Sequence, residues 1–213
     1  MTSEPRTRSL VVLMSGLGTT LKAILEAVAE NGYGAEITAV ISDNPEAAGL
    51  EFAKVAGVPV EVVPLNDYET RVEWDRALGD AIARHHPDLV VLAGFMKILG
   101  ASTVERFAGS IVNTHPALLP SFPGAHAVRD TLAHGVKLTG CTVHIVDVGV
   151  DTGPIVAQAA VDVRENDTEE SLHERIKGVE RRLVVDTIRE MVTRGWTIEG
   201  RTVRLGPPEG EKP

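Results

Sequence analysis

Two short, contiguous apolar runs constrain the fold of this chain more than any other feature: Leu10-Val-Val-Leu-Met14 and Leu89-Val-Val-Leu-Ala93. Neither alternates with polar residues. Each therefore reads as a strand buried on both faces, the mark of a parallel sheet lying between two layers of helices. The segments around them fit that pattern. Leu21, Ile24, Leu25 and Val28 recur at helical spacing. Strands are predicted at 37–41 and 60–63. A helix is predicted over 44–55, with Asn44 as cap and Pro45 in its first turn. Another is predicted over 71–84, with Val72, Leu78 and Ile82 facing inward. A short helix is expected to end at 104–107, and a strand to follow at 110–113. Strands alternating with helices give an α/β fold, Rossmann-like, with a mostly parallel twisted sheet and helices on both faces.

The pattern changes at residues 114–127, where Pro116, Pro120, Pro123 and Gly124 exclude a helix or a central strand. Leu118, Leu119 and Phe122 argue that this long loop is ordered. Residues 136–147 and 155–163 read as two strands joined by a turn, an antiparallel pair at one edge of the sheet. The last long helix is expected to begin at Asp167, with Glu170 as capping-box partner. Its apolar stripe is Leu172, Ile176, Val179, Leu183 and Ile188. Gly195 ends it, and a hairpin-like stretch follows. A single domain over 9–204 is expected, with a disordered tail at 1–8 and a flexible one at 205–213.

With 213 residues the chain can bury a core without disulfide or metal. Its formal net charge of -9 disfavours broad binding to nucleic acid, while a small anion held by local cations and backbone N–H groups is still allowed. Cys141 is the one cysteine, so no disulfide forms within the chain. It reads as a small buried hydrophobe, and a reducing, cytoplasmic location is expected. No apolar run is long enough for a signal segment or a membrane span.

Two regions carry candidate chemistry. Ser15-Gly-Leu-Gly-Thr-Thr20 lies between a strand and a helix, where backbone N–H groups and the helix dipole can hold a phosphate. A dinucleotide fingerprint would place a third glycine at position 21, where this chain has Leu21, so the turn is open to a single phosphate or to a plain strand–helix connection. Asn113 and His115 follow a buried strand, at the end of the sheet where α/β proteins bind ligands, and their spacing lets both face one side. Structural roles are equally open to them, as a turn for Asn113 and a hydrogen-bonded loop residue for His115. Asp151 lies in the turn 147–154. The seven histidines show no metal-ligand spacing. His144 alternates with Thr142 on a strand and can face the cleft, while His85 and His86 are expected to be solvated. His173, Lys177 and Glu180 share one face of the last helix, which could be simply a solvated charged face.

Taken together, Val11-Val-Leu-Met-Ser-Gly-Leu-Gly18, Pro87-Asp-Leu-Val-Val-Leu-Ala-Gly-Phe-Met-Lys-Ile-Leu99, Asn113-Thr-His-Pro-Ala-Leu-Leu-Pro120, Gly140-Cys-Thr-Val-His144 and Asp151-Thr-Gly-Pro154 resemble the folate-dependent formyltransferases. Their order and spacing cover nearly the whole chain. The resemblance implies transfer of a formyl group from 10-formyltetrahydrofolate, as co-substrate, to the amine of glycinamide ribonucleotide in purine synthesis, without a metal. It assigns Asn113, His115 and Asp151 to catalysis. Gly18, Thr19, Thr20, Lys177 and Glu180 match positions that hold the ribonucleotide. Arg71, Met96, Lys97, Ile98, Leu99, Asn113 and the run Asp147, Val148, Gly149, Val150, Asp151 match the folate side. Thr20 and Lys97 stand where the family carries Asn and Arg; Lys97 keeps the charge without the planar fork. A homodimer is left open. The competing expectations are a formyltetrahydrofolate deformylase, which carries a further domain ahead of the core, and methionyl-tRNA formyltransferase, which carries one behind it. A phosphate-binding module using only the glycine turn is the non-enzymatic alternative.

Overall fold

The computed structural model describes residues 6–206. β1 (Arg8–Met14), β2 (Ala35–Ser42), β3 (Val60–Val62), β4 (Leu89–Leu92) and β5 (Ile111–His115) form the parallel part of one nine-stranded sheet. β6 (Leu138–Ile145), β7 (Ile155–Asp162), β8 (Trp196–Glu199) and β9 (Thr202–Leu205) extend it, in the order β3-β2-β1-β4-β5-β6-β7-β9-β8. β5, β6 and β7 pair antiparallel, as do β8 and β9. The strand order reverses direction between β1 and β4, and such a switch point opens a crevice at the carboxyl ends of the strands.

Alternation along β1 splits the core. Leu10, Val12 and Met14 pack with α1 (Thr19–Val28), α2 (Leu50–Val55) and the C-terminal half of α6 (Glu169–Arg194). Val11 and Leu13 pack on the other face with α3 (Arg71–Ala83) and α4 (Ala101–Arg106). A third cluster joins Val128 of α5 (Ala127–Ala133) to Cys141, Val161, Leu172 and Ile176. Both faces of β1 are thus buried, as its uninterrupted apolar run requires.

Several local expectations are corrected. The helix predicted over 44–55 spans only Leu50–Val55. The Asn44 side chain instead closes its own turn by accepting the Glu46 N–H at 3.0 Å, a local bond that competes with helix. Val72 is 60% exposed, and the inward position next to it belongs to Trp74, which is fully buried. The last helix is capped by Thr168 with Ser171, not by Asp167 with Glu170, because Asp167 is drawn into an ion pair with Arg175. α5 follows the proline loop where no helix was expected. β1 takes Arg8, which pairs with Asp88 at 3.0 Å, and β9 takes Leu205. Of the expected tails, residues 1–5 and 207–213 lie outside the described residues.

Candidate active site

Ile111, Asn113 and His115 share one face of β5, and Thr114 points to the other. The antiparallel register places His144 of β6 directly opposite Asn113. Asp151 reaches this face from the loop between β6 and β7. The three expected catalytic residues therefore converge. His115 Nδ1 lies 3.3 Å from Asp151 Oδ2, and Asn113 Nδ2 lies 3.2 Å from His144 Nε2. His144 Nε2 in turn lies 3.6 Å from Asp151 Oδ1.

His115 Nε2 faces the Phe122 carbonyl at 2.8 Å, which can only accept. Its Nδ1 faces a carboxylate, which also accepts. The Nε2 proton therefore goes to the Phe122 carbonyl, and the buried ring lies against the Asp151 carboxylate. His144 Nδ1 donates to the Ile145 carbonyl at 2.9 Å, and its Nε2 lies between the Asn113 amide and the Asp151 carboxylate. With one contact to its NH2 group, Asn113 keeps at least one amide proton for a ligand. Burial pushes the Asp151 carboxyl up. The bond to His144, the Gly124 N–H at 2.7 Å and the charges of His115 and His144 outweigh burial and hold it below the usual carboxylate range.

The proline loop that supplies Phe122 and Gly124 is ordered by one hydroxyl. Thr142 Oγ1 donates to the Ala117 carbonyl at 2.7 Å and accepts from the Leu119 N–H and from Gln158 Nε2. Gln158 also donates to the Leu119 carbonyl at 2.9 Å. Phe122 and Asp151 both adopt positive φ, 53° and 55°. These are sparsely populated conformations for non-glycine residues, and they fall where the loops turn their polar groups toward His115.

At the expected ribonucleotide side, Gly18 precedes α1 with φ 70°, and a Cβ there would lie 2.6 Å from the Gly49 Cα. Glycine is thus required for backbone contact as well as conformation. No side chain caps α1 and no acidic residue lies in its first turn, leaving the N–H groups at Thr19 and Thr20 able to meet an anion. Thr19 and Gly178 of α6 line a common open groove of ≈ 630 Å³. Lys177 is turned to Glu174 at 2.7 Å. Glu180 accepts from Thr114 Oγ1 at 2.7 Å, and burial raises its pKa against the opposing effects of Thr114, His115, Arg181 and Lys177. At the expected folate side, Arg71 donates to the Ile98 carbonyl and stacks over Trp74 at 5.1 Å. Met96 and Ile98 are 75% and 61% exposed, and Val148 and Val150 are also exposed. Leu99 is buried in the α3–α4 core. Asp147 Oδ1 accepts from the Gly149 N–H and the Thr152 hydroxyl and so closes its own turn.

The formyl transferase family profile matches residues 8–188. The chain belongs to the formyl transferase family. Its sequence is 53% identical over 197 residues to a phosphoribosylglycinamide formyltransferase of Mycobacterium tuberculosis (strain ATCC 25618 / H37Rv), covering 92% of this chain and 91% of that one. It is 34% identical to the protein of that name from Bacillus subtilis (strain 168), over 87% of this chain and 95% of that one. The structure superimposes on glycinamide ribonucleotide transformylase 1 from Symbiobacterium toebii with a TM-score of 0.93 and 42% identity, covering 97% and 98% of the two chains.

Sequence reasoning undervalued some groups in this formyl transferase. His144 is 2% exposed and touches both Asn113 and Asp151; its signals were its alternation with Thr142 and its place in a segment that resembles the family. His85, expected to be solvated, is held by Glu61 at 2.6 Å. The Phe122 carbonyl and Gly124 N–H are backbone groups and have no signature in side-chain type. Burial pushes the Cys141 thiol up to about 12, reinforced by Glu180, as befits an inert buried cysteine. Among the described residues no group of His, Cys, Asp and Glu is arranged to hold a metal ion, and no helix is long and apolar enough to cross a membrane.

Proposed function

We propose that this protein transfers the formyl group of 10-formyltetrahydrofolate to the amine of glycinamide ribonucleotide, a step of purine synthesis, with Asn113, His115 and Asp151 carrying the chemistry. The observation that carries this reading is the chain of contacts Asn113–His144–Asp151–His115, assembled from β5, β6 and the 146–154 loop. The relatives named as formyltransferases match over nearly their full length, which favours this reading over a deformylase.

Each residue has a distinct task. As the acceptor nitrogen bonds to the formyl carbon, negative charge gathers on the carbonyl oxygen. The free Asn113 amide proton and the His115 Nε2–H are the donors placed to meet it, and His115 exchanges the Phe122 carbonyl for that oxygen. One such donor is worth about 3–4 kcal/mol in the transition state. Asp151 orients His115, lends its negative charge to that ring and accepts the proton that the attacking amine gives up. That proton ends on the folate nitrogen as the bond between it and the formyl carbon breaks, giving the formylated amine and tetrahydrofolate. His144 fixes the Asn113 amide. The first turn of α1 with Lys177 and Glu180 takes the ribonucleotide; the exposed Met96 and Ile98, with Val148 and Val150, flank the pterin. A cytoplasmic location belongs to this reading.

Consumption of the formyl donor should depend on the amine acceptor, with one formylated ribonucleotide made per donor consumed, read by absorbance and product mass. Formate release without acceptor would mean a deformylase. No turnover in either case would leave only a binding module.

A further inference from the structure

A second polar cluster lies at the carboxyl ends of β1 and β2, away from the trio. The Asp43 side chain, only 5% exposed, lies 3.5 Å from Lys97 Nζ through Oδ2 and accepts from the Ser15 hydroxyl through Oδ1. Ser15 Oγ in turn accepts the Met96 N–H at 2.8 Å. Asn44 Nδ2 donates to the Ser15 carbonyl at 3.2 Å, and the Ser15 N–H donates to the Gly94 carbonyl at 3.2 Å. Ser15, Asp43, Asn44, Met96 and Lys97 line an open cavity of ≈ 780 Å³. The loop after β4 is therefore pinned at two points: by Ser15 at the Met96 N–H and by Arg71 at the Ile98 carbonyl.

We propose that Asp43 is a positioning residue for the formyl-donor site: through Ser15 and Lys97 it fixes the loop that presents Met96 and Ile98. A serine hydroxyl rotates freely unless an acceptor claims its proton. Asp43 claims it, and a lone pair of Ser15 then faces the Met96 N–H. A buried carboxylate held by neutral donors alone would be costly, and the Lys97 ammonium supplies the counter-charge. Lys97 thus acts on the donor site through Asp43 and the loop backbone, which explains why a lysine between two exposed apolar residues turns back toward the sheet. The proposal rests on the reading that residues 96–99 take the folate.

The test measures kcat, KM for each substrate and Tm for Asp43→Ala, Asp43→Asn, Ser15→Ala and Met96→Ala. Asp43→Ala should raise KM for the formyl donor about tenfold, the loss of one charged hydrogen bond, and leave kcat and the ribonucleotide KM within about twofold. Asp43→Asn keeps an acceptor oxygen for Ser15 but not the charge facing Lys97, and should recover part of the donor affinity. Ser15→Ala should shift the donor KM in the same direction and carries the test if Asp43→Ala does not fold. An unchanged donor KM in Asp43→Ala or Ser15→Ala, or equal changes in both KM values, overturns the role of Asp43. So does failure of Asp43→Asn to rescue. An unchanged donor KM in Met96→Ala instead removes the loop from the donor site, and the underlying reading falls with the proposal.

Discussion

Asp151→Asn is expected to lower kcat by about a thousandfold while both KM values stay within a few-fold. The substitution keeps an oxygen for the Gly124 N–H, so the loop can hold its shape. It removes the carboxylate charge that lies 3.3 Å from the buried His115 ring. On the proposed mechanism the site then loses its acceptor for the amine proton and the charge that supports His115 as a donor to the oxyanion. Stopped-time product assays with circular dichroism as a folding control would measure this, and retention of more than a tenth of wild-type kcat would contradict it. The pH dependence has a definite sign. The Asp151 pKa is lowered in the folded protein, so its contribution to stability is present above the usual carboxylate pKa and is lost as pH falls through the lowered value.

Trp74→Ala should lower stability by about 3–5 kcal/mol, a large part of the 5–15 kcal/mol typical of a domain. Trp74 is fully buried, stacks on Phe95 at 6.4 Å and donates through Nε1 to the Val63 carbonyl at 2.9 Å. Its removal opens a cavity under the sheet and strands a buried carbonyl. It also takes away the ring on which Arg71 lies, so the donor KM should rise in whatever fraction still folds. Urea denaturation should show a lower midpoint with an unchanged slope. Trp74→Phe, which loses the hydrogen bond but less volume, should fall between. A midpoint within error of wild type for Trp74→Ala would show that this face of the sheet is held elsewhere.

The parallel sheet was legible because both faces of its central strands are buried, which writes itself into sequence as unbroken runs such as Leu10–Met14. The α6 stripe was legible for a similar reason: Leu172, Ile176 and Ile188 all face the core. α5 was not, since seven residues after a proline loop carry too few periodic positions to tell a helix from a turn. The start of α2 was misplaced because Asn44-Pro45 imitates a helix entry, while the actual entry is set by Gly49 packing on Gly18, a contact between distant residues. Asn113, His115 and Asp151 stood out by their places after a buried strand and in a turn, and their catalytic roles came from the resemblance. That His144 stands between two of them depends on the β5–β6 register, which no local pattern encodes. The role of Ser15 as a link between two loops needs the same knowledge of which strand neighbours which.

A structure with glycinamide ribonucleotide and a non-transferable formyl-folate analogue bound would test the central claim most directly. The account predicts the formyl oxygen about 3 Å from both Asn113 Nδ2 and His115 Nε2, with the His115–Phe122 bond given up and the phosphate on the first turn of α1. A formyl oxygen beyond hydrogen-bond reach of both side chains, with His115 still held by Phe122, would contradict it.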